Sequence, residues 1–157
     1  MTHPASVQDQ PTKETGYFLE RLHFEKLSMQ SAEIAGAQAR APDESISVGW
    51  DWGWASKNEF DVSLTVELPS SVSRRESISA IIVGRFRIAT ELPSVPIESF
   101  AQFHAPAILF PYVRQQVTAL TAAGPTGALL LPPMNLQSMM EQMRPSLATA
   151  AKAPRPA

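Results

Sequence analysis

The sequence predicts an α+β fold in which a four-stranded antiparallel sheet is followed by two helices packed on one of its faces. Three observations carry this. Two runs of about ten residues alternate apolar and polar side chains at every second position, and a third alternates with a partly apolar second face. After Ile88 the apolar spacing changes from two to three and four. Strands first and helices afterwards segregate the helices to one side of a sheet.

The first strand is read over Tyr17 to Met29, with Leu22 and Phe24 in one phase and Leu27 and Met29 in the other. A bulge near Glu25 or Lys26 reconciles the two halves, because one extra residue resets the period of two. Residues 31–44 are Ala-rich, with Ile34 as the one large apolar side chain, and read as a crossover loop rather than a hairpin. The second strand places Ile46, Val48, Trp50, Trp52 and Trp54 on one face, against Ser47, Gly49, Asp51 and Gly53. Ser56-Lys57-Asn58 supplies a turn. The third strand alternates Phe60, Val62, Leu64, Val66 and Leu68 with Asp61, Ser63, Thr65 and Glu67. The fourth, Glu76 to Ile88, sets Ile78, Ala80, Ile82, Gly84, Phe86 and Ile88 opposite Ser77, Ser79, Ile81, Val83, Arg85 and Arg87. With no proline in the three later strand cores, the four are expected to form an antiparallel meander.

In the helical part, Leu109, Val113, Val117 and Leu120 keep helical spacing, and Gly124-Pro125 is a stop signal. Proline lacks a backbone N–H and has a fixed φ, so Pro106 or Pro111 suits a first helical turn and would kink an interior. A second helix is marked by Leu136, Met139, Met140 and Met143, with Asn135 as its N-cap.

Composition bounds the function classes. At 157 residues, 44% of them apolar, the chain has the size and core of one domain. Residues 1–16 and 144–157 are short of large apolar side chains and read as disordered tails around a folded domain at 17–143. Without cysteine, disulfides and thiolate chemistry are excluded. No apolar leader core follows a basic start, and no run reaches the roughly 18 apolar residues of a membrane span, so a cytoplasmic protein is expected. A formal charge of −2 gives no reason to expect nucleic-acid binding.

Catalytic residues are not expected, nor a metal or other cofactor. His23 and His104 stand alone in sequence, with no paired carboxylate or ligand spacing around them, and His3 lies in a tail. An active site needs several convergent groups. The Trp50/Trp52/Trp54 stripe reads as core or subunit interface, or as a wall for a polypeptide. No basic residues accompany it as they would on a nucleic-acid platform. The methionine stripe is similarly core or an adaptable binding surface, able to wall a groove together with Ala128-Leu129-Leu130-Leu131. Arg85 and Arg87 read as a solvated sheet face.

The segment A-P-A-I-L-F-P-Y-V-R-Q-Q-V at 105–117 and L-P-P-M-N-L-Q-S-M at 131–139 resemble the two signature stretches of the SecB family of export chaperones. Leu19-Glu20-Arg21-Leu22 and Gly84-Arg85-Phe86-Arg87-Ile88 resemble its first and fourth strands. The resemblance implies an ATP-independent holdase for unfolded precursor polypeptides, assembled as a dimer of dimers. It implies client-binding apolar surface at Trp52, Trp54, Leu131, Met134, Leu136, Met140 and Met143. Leu109, Tyr112, Val113, Val117 and Leu120 would then form the oligomer interface. In the export family, acidic side chains on the outer sheet face contact the translocase motor SecA. They align near Lys26, Gln30, Ser77 and Ser79, none of which is acidic. That departure favours a SecB-like chaperone outside the general export pathway, for instance one dedicated to the antitoxin of a toxin-antitoxin system. A third expectation, from another class, is a ligand-binding or enzymatic domain that shares only the fold.

Overall fold

The computed structural model describes residues 16–31, 46–70, 74–89, 93–133, 135, 138 and 154–157. The strands are β1 (Tyr17–Ser31), β2 (Ser47–Ser56), β3 (Glu59–Leu68) and β4 (Glu76–Ile88). They form one antiparallel sheet in the order β1-β4-β3-β2. The expected meander therefore holds for β2, β3 and β4 alone, and β1 lies at the far edge, paired with β4. The chain between β1 and β2 links opposite edges of the sheet, as expected of a crossover; its own residues 32–45 lie outside the described ones.

β1 carries two register shifts, between Leu19 and Arg21 and between Phe24 and Lys26. The second is the bulge expected from the change of phase. Together they put Tyr17, Leu19, Leu22, Phe24, Leu27 and Met29 opposite Ile88, Phe86, Gly84, Ile82, Ala80 and Ile78, so every large apolar residue of β1 except Phe18 shares the inner face. On β3 and β4 this face is sealed: Phe60, Val62, Leu64, Val66, Ile82 and Phe86 have almost no exposure.

Helical structure begins earlier than the sequence suggested. A single turn, α1 (Ile97–Ser99), leads into a π-helical turn at Phe100–His104 and then α2 (Ala105–Ala122). The Ala105 N–H donates to the Phe100 carbonyl, five residues back. Pro106 cannot donate to the carbonyl four residues behind it, and the wider turn just before it accommodates that loss. Pro106 thus lies in the first turn of α2, as expected, whereas Pro111 sits inside it. Its ring is exposed, as is Ala107, whose carbonyl Pro111 leaves unpaired, so water can satisfy that group.

α2 lies across the inner face through Leu109, Val113 and Val117, each at most 1% exposed. These three were expected at an oligomer interface and instead fill the core of their own chain. Gly84 lets the helix come this close, since a Cβ there would lie 2.7 Å from Leu109 Cδ2. The chain after α2 is tied down by polar groups. The Thr126 hydroxyl donates to the buried Glu76 carboxylate at 2.6 Å, Arg74 Nη2 donates to the Gly127 carbonyl at 3.0 Å, and the Leu129 N–H donates to Thr121 Oγ1 at 2.8 Å. Leu131 then enters the core. The expected helix 136–143 lies outside the described residues, apart from the Ser138 N–H donating to Asn135 Oδ1 at 3.1 Å, the bond an N-cap makes.

Candidate functional site

At one end of the inner face the sheet is uncovered by α2. Phe60, fully buried, is the hub of an aromatic cluster: Tyr17, Trp52, Trp54, Phe86 and Phe100 all lie with ring centroids 5.6–6.2 Å from its own. Trp52 and Trp54 stand on β2 in register with Val62 and Phe60, so the alternation of that strand delivers both indoles to the same side. Offset and edge-to-face aromatic pairs of this kind add roughly 0.5–1.5 kcal/mol each beyond area burial.

Between this cluster, the end of β4 and the segment leading into α1 lies a cavity of about 940 Å³. Its apolar wall comprises Tyr17, Trp52, Trp54, Ile88, Val95 and Ile97, and its polar rim includes Lys57, Asn58 and Glu98. Tyr17 anchors the wall. Its ring stacks on Phe100 at 4.2 Å and its hydroxyl donates to the Val95 carbonyl at 2.6 Å. Burial first, and the Glu98 carboxylate second, push the Tyr17 hydroxyl above its ordinary pKa, so it stays a neutral donor.

Of the residues expected to contact clients, the structure brings Trp52 and Trp54 together here. Trp52 is buried and Trp54 half-buried, so Trp54 offers the more accessible ring. Leu131, expected in the groove, is 1% exposed and packs in the core instead. Met134, Leu136, Met140 and Met143 lie outside the described residues. Sequence reasoning missed Tyr17, Val95 and Ile97, which meet the tryptophans only through the β1–β4 pairing and the return of the chain after Ile88.

The outer surface of α2 exposes Ile108 and Tyr112, at 39% and 40%. Of the expected interface residues, Tyr112 thus faces outward and Leu120 is half-buried.

The sheet's outer face is a different chemistry. Arg85 makes a two-pronged pair with Asp61, both bonds 2.7 Å, and Arg87 pairs with Glu20. The Asp61 hydrogen bond is the main reason the Arg85 guanidinium is held above its ordinary pKa. Toward the other end, Lys26, Gln30, Ser77 and Ser79 line one shallow depression with Ser28 and Glu67. The four positions flagged by their lost acidity therefore form a single patch, in which Glu67 is the one carboxylate among the described lining residues.

The two histidines of the described strands and helices stand apart. His23 lies on the outer face in register with Val83, and His104 stacks on Phe100 at 5.8 Å. Among the described residues no three His, Asp or Glu side chains converge as metal ligands, and no helix is long and apolar enough to cross a membrane.

The chain matches the family model described as preprotein translocase subunit SecB over residues 9–146. It is 26% identical over 138 residues to the protein-export protein SecB of Acidithiobacillus ferrooxidans, covering 83% of this chain and 91% of that one. With the corresponding protein of Azoarcus sp. it shares 23% identity over 133 residues, covering 82% and 87%. Among solved structures it is similar to the SecB-like chaperone Rv1957 of Mycobacterium tuberculosis, in complex with a peptide from the HigA1 antitoxin. That likeness has a TM-score of 0.52 and 14% identity over 76% of this chain and 91% of that one. A protein of unknown function from Streptococcus agalactiae gives a TM-score of 0.53 at 12% identity, covering 74% and 97%. At such identities the structural likenesses speak for the fold.

Proposed function

The chain belongs to the SecB family, whose members are chaperones and not enzymes, and from that premise we propose that it is a cytoplasmic, ATP-independent holdase that grips unfolded polypeptides in the aromatic cavity. The observation that carries this reading is the cavity itself: about 940 Å³ walled by Tyr17, Trp52, Trp54, Ile88, Val95 and Ile97. An apolar wall with a polar rim suits extended segments bearing large apolar side chains.

The energetics suit holding rather than storing. Burying one large client side chain contributes roughly 1.5–3 kcal/mol, while ordering a client segment costs about 2–5 kcal/mol. One cavity therefore binds weakly and releases readily. A homotetramer, formed through the outer face of α2 with Ile108 and Tyr112 at its centre, would offer several cavities to one long chain. Such multivalency raises apparent affinity by about 10² to 10⁴.

The test is aggregation of a chemically unfolded protein, followed by light scattering with this chain added below stoichiometry. Suppression is expected; absence of suppression by the folded protein would remove the reading. A second reading, a chaperone dedicated to one antitoxin, draws support from the outer patch at Lys26, Gln30, Ser77 and Ser79. With Glu67 as the one carboxylate among its described lining residues, the patch offers little to a surface that docks on negative charge. Titration with purified SecA separates the two: no saturation near micromolar favours the dedicated chaperone, and saturation favours export.

A further inference from the structure

The mouth of the aromatic cavity already holds a peptide, and it is the chain's own. Pro154 and Arg155, almost a hundred residues from β2 in sequence, line the cavity beside Trp54, Lys57 and Asn58. Arg155 Nε donates to the Lys57 carbonyl at 2.8 Å and Nη2 donates to Asn58 Oδ1 at 3.1 Å. The guanidinium carbon lies 5.4 Å from the centroid of the Trp54 ring. Residues 144–157 were expected to be a disordered tail, yet this end of it makes three specific contacts.

These contacts describe a guanidinium site. A flat ring takes the cation on its face, and two oxygens of the β2–β3 turn take two of its N–H groups. A lysine ammonium has the charge but lacks the planar fork that satisfies both oxygens while stacking. The prolines on either side of Arg155 keep the segment extended, the form in which an unfolded chain would enter. We propose that Trp54, the Lys57 carbonyl and Asn58 form an arginine-binding subsite at the cavity mouth, filled in cis by Arg155 and taken in trans by an arginine of an extended client segment. The client half rests on the chaperone reading above; the subsite and its occupation by the tail do not. A tethered tail meets its site at an effective concentration of the order of millimolar, enough to compete with weak ligands and too little to block strong ones. The tail thereby sets a threshold that a client must exceed.

The experiment uses the full chain and its Arg155→Ala variant, an exposed change that leaves the body intact. Each is titrated with the peptide acetyl-Ala-Pro-Arg-Pro-Ala-amide, read by tryptophan fluorescence. Arg155→Ala is expected to bind the peptide about two- to tenfold more tightly than the unaltered chain. The lysine version of the peptide should bind severalfold more weakly, and adding Asn58→Ala to Arg155→Ala should weaken arginine-peptide binding. Equal affinity of the two chains for the peptide, or equal binding of the arginine and lysine peptides, overturns the proposal. The same proteins in the aggregation assay keep the readings apart. Arginine-selective binding without aggregation suppression would remove the chaperone reading alone, and suppression without arginine selectivity would remove the subsite alone.

Discussion

The inner face of the sheet has two ends built from the same kind of residue and covered in different ways. Under α2, Leu109, Val113 and Val117 meet Val62, Ile82 and their neighbours, and almost no surface remains. Beyond α2, Tyr17, Trp52 and Trp54 are as apolar, but what lies over them is a segment running through Pro93 and Pro96, which leaves a cavity. The difference lies in the cover rather than in the sheet. An eighteen-residue helix buries a continuous stripe, whereas a proline-punctuated segment cannot fill the space above three large rings. Apolar surface becomes sealed core where a regular element covers it and borders an open cavity where an irregular one spans it.

Four substitutions should break or sharpen that contrast. Leu109→Ala removes a fully buried side chain from the sealed end and is expected to cost about 2–5 kcal/mol in urea unfolding. Gly84→Ala adds a methyl where Leu109 Cδ2 would be 2.7 Å away. It should cost about 1–3 kcal/mol by pushing α2 off the sheet. A loss below about 0.5 kcal/mol in either would show that the sealed end is slack.

Glu76 tests the lock on the sealed end through pH. Its carboxyl is held below the ordinary 4.5, chiefly by the Thr126 hydroxyl, against the opposing effect of burial and with a smaller contribution from Arg74. Because the folded value lies below the unfolded one, this stabilisation is complete above about pH 4.5 and is lost as pH falls through the folded value. Unfolding midpoints of the unaltered chain should therefore drop on acidification over that window, and those of Glu76→Gln should start lower and drop less. Parallel curves would show that Glu76 contributes no proton linkage.

At the open end, Trp54→Ala should have the smallest effect on stability, about 1 kcal/mol, since the ring is half-buried. Client affinity should fall about tenfold in a binding titration, the reverse of the pattern at Leu109. A large stability loss with unchanged client affinity would mean that both ends are core.

Much of the sealed end was legible in the sequence. The alternation in β2, β3 and β4 placed each inner residue correctly, and the change of phase in β1 announced the bulge at Glu25. The bulge at Glu20 carries the same signal, between Leu19 and Leu22, but the two leucines are compatible with helical spacing too and did not force it. What periodicity cannot supply is the identity of the partner. The stripe Leu109, Val113, Val117 shows that α2 has an apolar face, but not whether the sheet beneath it belongs to the same chain. Alternation in β1 likewise cannot choose β4 over β2. The open end was half legible: the tryptophan stripe marked it, but Tyr17, Val95 and Ile97 join only in three dimensions. The Arg155 contact was hidden by a composition that reads as disorder.

The strand order has a consequence for how the molecule is made. Of these four strands β1 is the first to be synthesised, yet its partner β4 ends at Ile88, and Tyr17 pairs with that last residue. At synthesis rates of about 5–20 residues per second, β1 waits several seconds with both edges open. Pairings of such sequence separation also close slowly once the chain is complete. Glu20, Arg21, Glu25 and Lys26 sit at the two bulges, and charges and bulges on a strand are general means of disfavouring its pairing with another chain. A protein proposed to guard unfolded polypeptides thus carries, in its own first strand, a safeguard for the interval in which it is one.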